Sequence, residues 1–189
     1  MRLFLAVDPD EAARAGLAAL QAGLVRAAAD SASALRWVAP AVAHITLHFL
    51  GEVATARVDG LVGALGPSAS VAPFEIALGA PEVSPPSGPP RVLWMPVARG
   101  RAELAALHRE LGERVRAAGL SVEARPFTPH LTVARVRDRR GARPLAARVG
   151  DVHAPPIRWR IDRATLFESD LSGRTPQYRA RHVIGLGSH

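Results

Sequence analysis

Four residues carry the chemistry legible in this chain. They lie in His44-Ile45-Thr46-Leu47 and His130-Leu131-Thr132-Val133, one tetrapeptide in each half of the sequence. Both read His, aliphatic, Thr, aliphatic. On a strand, side chains alternate between faces, so each His shares a face with its Thr while the aliphatic pair turns to the core. One His-x-Thr is commonplace, but two in one chain point to matching half-sites that meet in a cleft. Two imidazoles and two hydroxyls facing a common point form an acid–base apparatus suited to a phosphodiester.

Other chemistries are poorly represented. The chain has 189 residues and no cysteine, which removes disulfides, thiolate metal sites and a Cys nucleophile. It has no lysine, so a phosphate-binding loop of the Gly-rich, Lys-containing type is absent, and no Gly-x-Ser-x-Gly elbow occurs. Gly185-Leu186-Gly187 opens no helix and is not a dinucleotide fingerprint. His44 and His48 have the spacing of a helical zinc pair, but on a strand their Cα atoms would be about 13 Å apart. No metal or cofactor is expected. The composition, 48% hydrophobic and 22% charged, suits a globular protein, and its length suits one bilobal domain over 1–189. Acidic Asp8 follows the opening apolar stretch too soon for a signal peptide, and no apolar run is long enough to span a membrane. A cytoplasmic monomer is expected.

The net charge is +7, carried entirely by arginine on the basic side. An arginine-only composition fits a genome-wide nucleotide bias, yet the positive excess itself favours a polyanionic partner. Arg135, Arg137, Arg139, Arg140, Arg143 and Arg148 follow the second motif closely.

The elements that must position the motifs follow from apolar periodicity. Helices are predicted over 10–29, 55–65 and 101–118. Strands are predicted over 2–7, 35–38, 44–50, 74–78, 91–97, 130–136, 157–167 and 177–184. The Pro-rich stretch 81–90 reads as a loop, and 138–150 as a basic loop or short helix. Each motif strand is entered through a proline, Pro40 or Pro129. The order β-α-β-β-α-β-β-α-β-β-β indicates an α+β fold of two lobes with mostly antiparallel sheets. On a regular strand His48 would join His44 and Thr46 on one face, as a surface or supporting residue. Arg135 would point away from His130 unless a bulge redirects it toward phosphate. Phe4, Trp37, Phe127 and Tyr178 are candidates to stack a base, with core packing as the alternative for each.

Several segments together resemble a known family, the two-histidine (2H) phosphoesterases, and within it the LigT-like RNA 2′,3′-cyclic phosphodiesterases, once named 2′-5′ RNA ligases. They are Arg2–Asp8, Arg36-Trp37-Val38, His44–Gly51, Pro73-Phe74-Glu75, Pro90–Trp94, Pro126–Arg135 and Leu166–Ser169. His48 departs from the pattern, since relatives commonly carry Lys there. The resemblance implies two mostly antiparallel sheets related by a pseudo-two-fold axis, with helices outside and a central cleft. It implies His44 and His130 as the catalytic pair, and Thr46 and Thr132 as phosphate ligands. It implies metal-independent opening of RNA 2′,3′-cyclic phosphate ends, tRNA halves among them, to 2′-phosphates, with 2′-5′ ligation as the related joining reaction. The symmetry of the motifs leaves open which His is the acid; His44 as acid and His130 as base is the working order. A phosphodiesterase for a small nucleotide and a non-catalytic RNA-binding module remain alternatives.

Overall fold

The computed structural model describes residues 1–138, 149, 152, 155–170, 173 and 176–187. Arg139, Arg140, Arg143 and Arg148 of the basic stretch lie outside them.

Alternating and continuous apolar runs build two sheets. The first has the order β3-β1-β10-β11-β4. Its strands are β1 (Arg2–Val7), β3 (Ile45–Glu52), β4 (Ser68–Ala69), β10 (Arg163–Asp170) and β11 (Gln177–Leu186). The second has the order β2-β8-β7-β5-β9, with β6 also paired to β7. It comprises β2 (Leu35–Trp37), β5 (Phe74–Leu78), β6 (Glu82–Ser84), β7 (Val92–Arg99), β8 (His130–Val136) and β9 (Arg158–Ile161). All these pairings are antiparallel except that of β11 with β4. β1 lies between β3 and β10, and its residues from Leu3 onward are buried, as a central strand requires. Leu3, Leu5 and Val7 join the continuous apolar core, while Phe4 packs on the opposite face against His44.

Three helices cover the sheets. α1 (Glu11–Ala28) buries Leu17, Leu20 and Leu24 at helical spacing. Its Gln21 Nε2 donates to the carbonyls of Val38 and Val133, 2.6 and 3.3 Å away, which ties α1 to the second sheet. α3 (Arg101–Ala117) lies on the first through β3 and β4, and α2 (Val58–Leu65) packs on α3. Arg114 of α3 donates to the carbonyls of Leu65 and Ser68, the latter at 2.7 Å, and pairs with Glu110 at 2.6 Å. The chain thus crosses between lobes repeatedly, and each half-site depends on segments distant in sequence.

The predicted helices and motif strands are present within a few residues. The predicted strand over 157–167 is two strands. β9 pairs with β5 in the second sheet and β10 with β1 in the first, so the chain changes sheets at Asp162. Part of the predicted loop 81–90 pairs as β6.

Gly100 makes the turn from β7 into α3. Its φ is +84, and a Cβ there would lie 2.6 Å from Ile76 Cγ2 and 2.7 Å from the Glu75 carbonyl oxygen. Only glycine fits such a position. Gly100→Ala is expected to cost about 1–3 kcal/mol, read as a lower urea midpoint; an unchanged midpoint would refute this account of the turn.

Candidate active site

Both motif histidines are held in the same way. His44 Nδ1–H donates to the carbonyl of Val42 at 2.9 Å, and His130 Nδ1–H donates to the carbonyl of Thr128 at 2.7 Å. Each acceptor lies two residues upstream, in a turn that the neighbouring proline shapes: Pro40 opens a 3-10 turn over Pro40–Val42, and Pro129 separates Thr128 from His130. Because a carbonyl can only accept, the neutral imidazole carries its proton on Nδ1 and leaves the Nε2 lone pair free. Rings back each imidazole. Phe4 lies 4.9 Å and Tyr178 5.3 Å from His44, and Trp94 lies 4.3 Å from His130. Thr46 and Thr132 are half-buried on their strands, and β3 and β8 are neighbours in space.

A β-bulge follows each motif and decides what comes next. On β8, Trp94 pairs with Thr132 and Leu93 with Ala134, so Val133 is the extra residue. Val133 and Ala134 are both buried, and Arg135 is exposed on the face of His130 and Thr132. The regular-strand expectation that Arg135 turns away therefore fails, and the bulge is the reason. On β3, Ala6 pairs with Thr46 and Leu5 with His48, so Leu47 is the extra residue. His48 is thereby turned to the opposite face from His44 and Thr46, correcting the expectation of a shared face. At 2% exposure it is buried rather than on the surface, and its Nε2–H donates to the carbonyl of His108 at 2.7 Å. Phe49, not His48, then takes the position beside Phe4, 6.1 Å away, with 51% of its surface exposed. The same register makes Phe49 the counterpart of Arg135: each stands five residues after its His.

The other aromatics are placed differently from one another. Phe4 is 3% exposed and lies beneath His44, Tyr178 and Phe167. Tyr178 meets Phe4 and His44 edge-on. Phe127 stacks on His108, with ring centroids 4.2 Å apart, and not on a motif histidine. Trp37 is half-buried against the core. Phe49 was missed in the sequence; only the repeat of the bulge after the second motif would have pointed to it. A cavity of about 420 Å³ lined by Arg2, Glu52, Glu168 and Arg179 among others contains neither motif histidine.

The electrostatics are coherent. Burial lowers the His44 pKa, the Val42 carbonyl and Asp8 oppose this, and Arg135 and His130 lower it further. Burial also lowers His130, opposed by the Thr128 carbonyl and reinforced by Arg135. The two imidazoles thus feel one shared cation, and His44 also feels His130. Burial raises Tyr178, against the pull of Arg135, Arg2 and Arg36, so three guanidinium groups stand near this ring.

Two curled sheets, each presenting a His-x-Thr strand backed by an aromatic ring, have the architecture of a two-histidine phosphoesterase. The chain belongs to the 2′-5′ RNA ligase superfamily, whose sequence profile matches residues 8–173. It is similar to the RNA 2′,3′-cyclic phosphodiesterase of Methanothermobacter thermautotrophicus, with 30% identity over 188 residues, 98% of this chain and 99% of the relative. A second relative of that name, from Aeropyrum pernix, is 32% identical over 151 residues, 77% of this chain and 82% of the relative. Among solved structures, the Thermus thermophilus protein TT0787 superimposes with a TM-score of 0.76 at 28% identity, covering 100% of both chains. The fold of apo E. coli LigT matches with the same TM-score of 0.76 at 24% identity, covering 99% of this chain and 98% of that one.

Arg135 lowers both motif histidines, so its removal should raise both. Titration of the imidazoles by NMR is expected to give both pKa values below 6.5 in the native protein and upward shifts of both in Arg135→Gln. Values at or above 6.5, or no response to the substitution, would contradict this electrostatic account.

Proposed function

We propose that the protein hydrolyses RNA 2′,3′-cyclic phosphate ends to 2′-phosphates by metal-independent two-histidine acid–base catalysis. The observation that carries this reading is the paired lock: each imidazole is held through Nδ1, so each Nε2 is available for proton transfer at the substrate. Family membership supports it, as do the relatives named for this activity.

Opening the ring requires water to attack phosphorus in line with the leaving 3′ oxygen. In the proposed order His130 Nε2 takes the proton from water as the P–O bond forms. His44, protonated on Nε2, gives its proton to the 3′ oxygen as that P–O bond breaks. The product is a 2′-phosphate with a free 3′ hydroxyl, and the two histidines exchange protonation states. Asp8 favours the charged form of His44, while burial, Arg135 and His130 oppose it, so His44 as acid and His130 as base stands as the working order of this proposal. Thr46 and Thr132 donate to the non-bridging oxygens, where charge builds in the transition state, and Arg135 balances that charge. If the 5′ hydroxyl of another RNA replaces water, the same proton transfers produce a 2′-5′ linkage.

The substrate's base would lie on Phe49 and the edge of Tyr178, with Phe4 supporting them from below. Arg2, Arg36 and Arg135 around Tyr178 favour a substrate with further phosphates, and so an RNA end over a small nucleotide. Action in the cytoplasm as a monomer, on RNA such as tRNA halves, belongs to the same proposal. Among the described residues no helix is long and apolar enough to cross a membrane.

His44→Ala and His130→Ala are each expected to lower kcat by roughly 10²–10⁴-fold while circular dichroism shows a folded protein. Losses below tenfold in both would end the two-histidine mechanism. EDTA is expected to leave the rate unchanged; full inhibition reversed by zinc would show a metal requirement.

A further inference from the structure

His130 works only if the Thr128 carbonyl stays in place, and little regular structure holds that carbonyl. Residues 118–129 form no helix or strand. On one side of Thr128, the Pro129 carbonyl accepts a hydrogen bond from Val97 N–H at 3.1 Å, and Pro129 is buried. On the other side stands Phe127. Its ring lies face to face with His108 of α3, at 4.2 Å and 13° between planes. His108 also makes a second stack, on His48 of β3, at 4.0 Å and 24°. His48 also donates from Nε2 to the His108 carbonyl at 2.7 Å. Three rings therefore run in sequence from the strand of the first motif, through α3, to the turn that holds the second motif's histidine.

The slot for this stack is built into the helix. Gly112 lies one turn beyond His108, and a Cβ there would sit 2.9 Å from His48 Nε2 and 3.0 Å from His48 Cε1. A side chain at position 112 would push His48 out of its place. The bulge at Leu47 turns His48 into the slot, and the missing side chain at Gly112 makes room for it.

We propose that His108 is a positioning residue for His130: clamped between His48 and Phe127, its ring fixes the turn whose Thr128 carbonyl holds His130 Nδ1–H. The role needs a flat ring more than a titrating one. Burial, His48 and Arg116 lower the His108 pKa to about 4, and burial with Arg116 lowers His48, so both rings stay neutral near neutral pH and stack without mutual repulsion. The proposal goes beyond the two-histidine reading and rests on it for the consequence to rate.

The test compares His108→Ala with His108→Phe, using a short RNA ending in a 2′,3′-cyclic phosphate as substrate and 15N NMR of the His130 imidazole. His108→Ala is expected to lower kcat about tenfold or more, with KM within about twofold, because a small misplacement of a proton-transfer group is costly. The His130 ring should lose its single Nδ1–H tautomer and show a mixture. His108→Phe should retain both the native tautomer and most of the rate. Phe127→Leu, at a half-buried position outside the core sheets, is a second route to the same break and should reproduce the alanine result. Native tautomer and kcat in Phe127→Leu or His108→Ala would overturn the proposal. So would a phenylalanine variant as impaired as the alanine one. If the unmodified protein fails to hydrolyse the substrate, the two-histidine reading fails, while the tautomer measurement still decides whether the ring stack positions His130.

Discussion

The structure depends on one hydrogen bond made twice. In each half the backbone carbonyl two residues before the histidine accepts its Nδ1–H, that of Val42 from His44 and that of Thr128 from His130. This bond sets the tautomer, fixes the ring plane and leaves Nε2 for chemistry. In the proposed mechanism a proton donor and a proton acceptor on opposite sides of a phosphorus atom must both be aimed before the substrate arrives, since aiming during the reaction would add to the barrier. The turns through Pro40 and Pro129 carry these two carbonyls, and aromatic rings back each imidazole.

The bulges add the second constraint. An extra residue after each His-x-Thr reverses the faces of the residues that follow it. On β8 this brings Arg135 onto the face of His130 and Thr132, and on β3 it turns His48 toward α3 and brings out Phe49. The two half-sites are alike in backbone and unlike in what they offer. One presents a cation and the other an aromatic face, so a nearly symmetric frame can receive an asymmetric substrate in one orientation. The cation lowers both histidines together, which in the proposed mechanism would link phosphate binding to the protonation of the two imidazoles.

Much of this was legible in the residues. The His-x-Thr pair, the three helices and the motif strands follow from spacing and periodicity, because a 3.6-residue or two-residue repeat records which face is buried. The two-lobed α+β arrangement follows from their order. The bulges did not show, because Leu47 and Val133 are ordinary strand residues, and the extra count appears only when the partner strand supplies a register. His48 was misplaced and Phe49 missed for that single reason. The change of sheets at Asp162 was hidden by the continuous strand-like run from Ile157 to Phe167. The contact of His108 with Phe127 joins α3 to a loop that carries no periodicity, and no local pattern could announce it.

The most direct test of the account is the fate of an oxygen atom. A short RNA ending in a 2′,3′-cyclic phosphate would be incubated with the protein in 18O-labelled water and EDTA, and the product analysed by mass spectrometry and phosphorus NMR. The account predicts one 18O per phosphate, a 2′-phosphate and a free 3′ hydroxyl. A 3′-phosphate would contradict the assignment of the leaving oxygen, and an unchanged RNA end in the presence of folded protein would contradict the proposed activity itself.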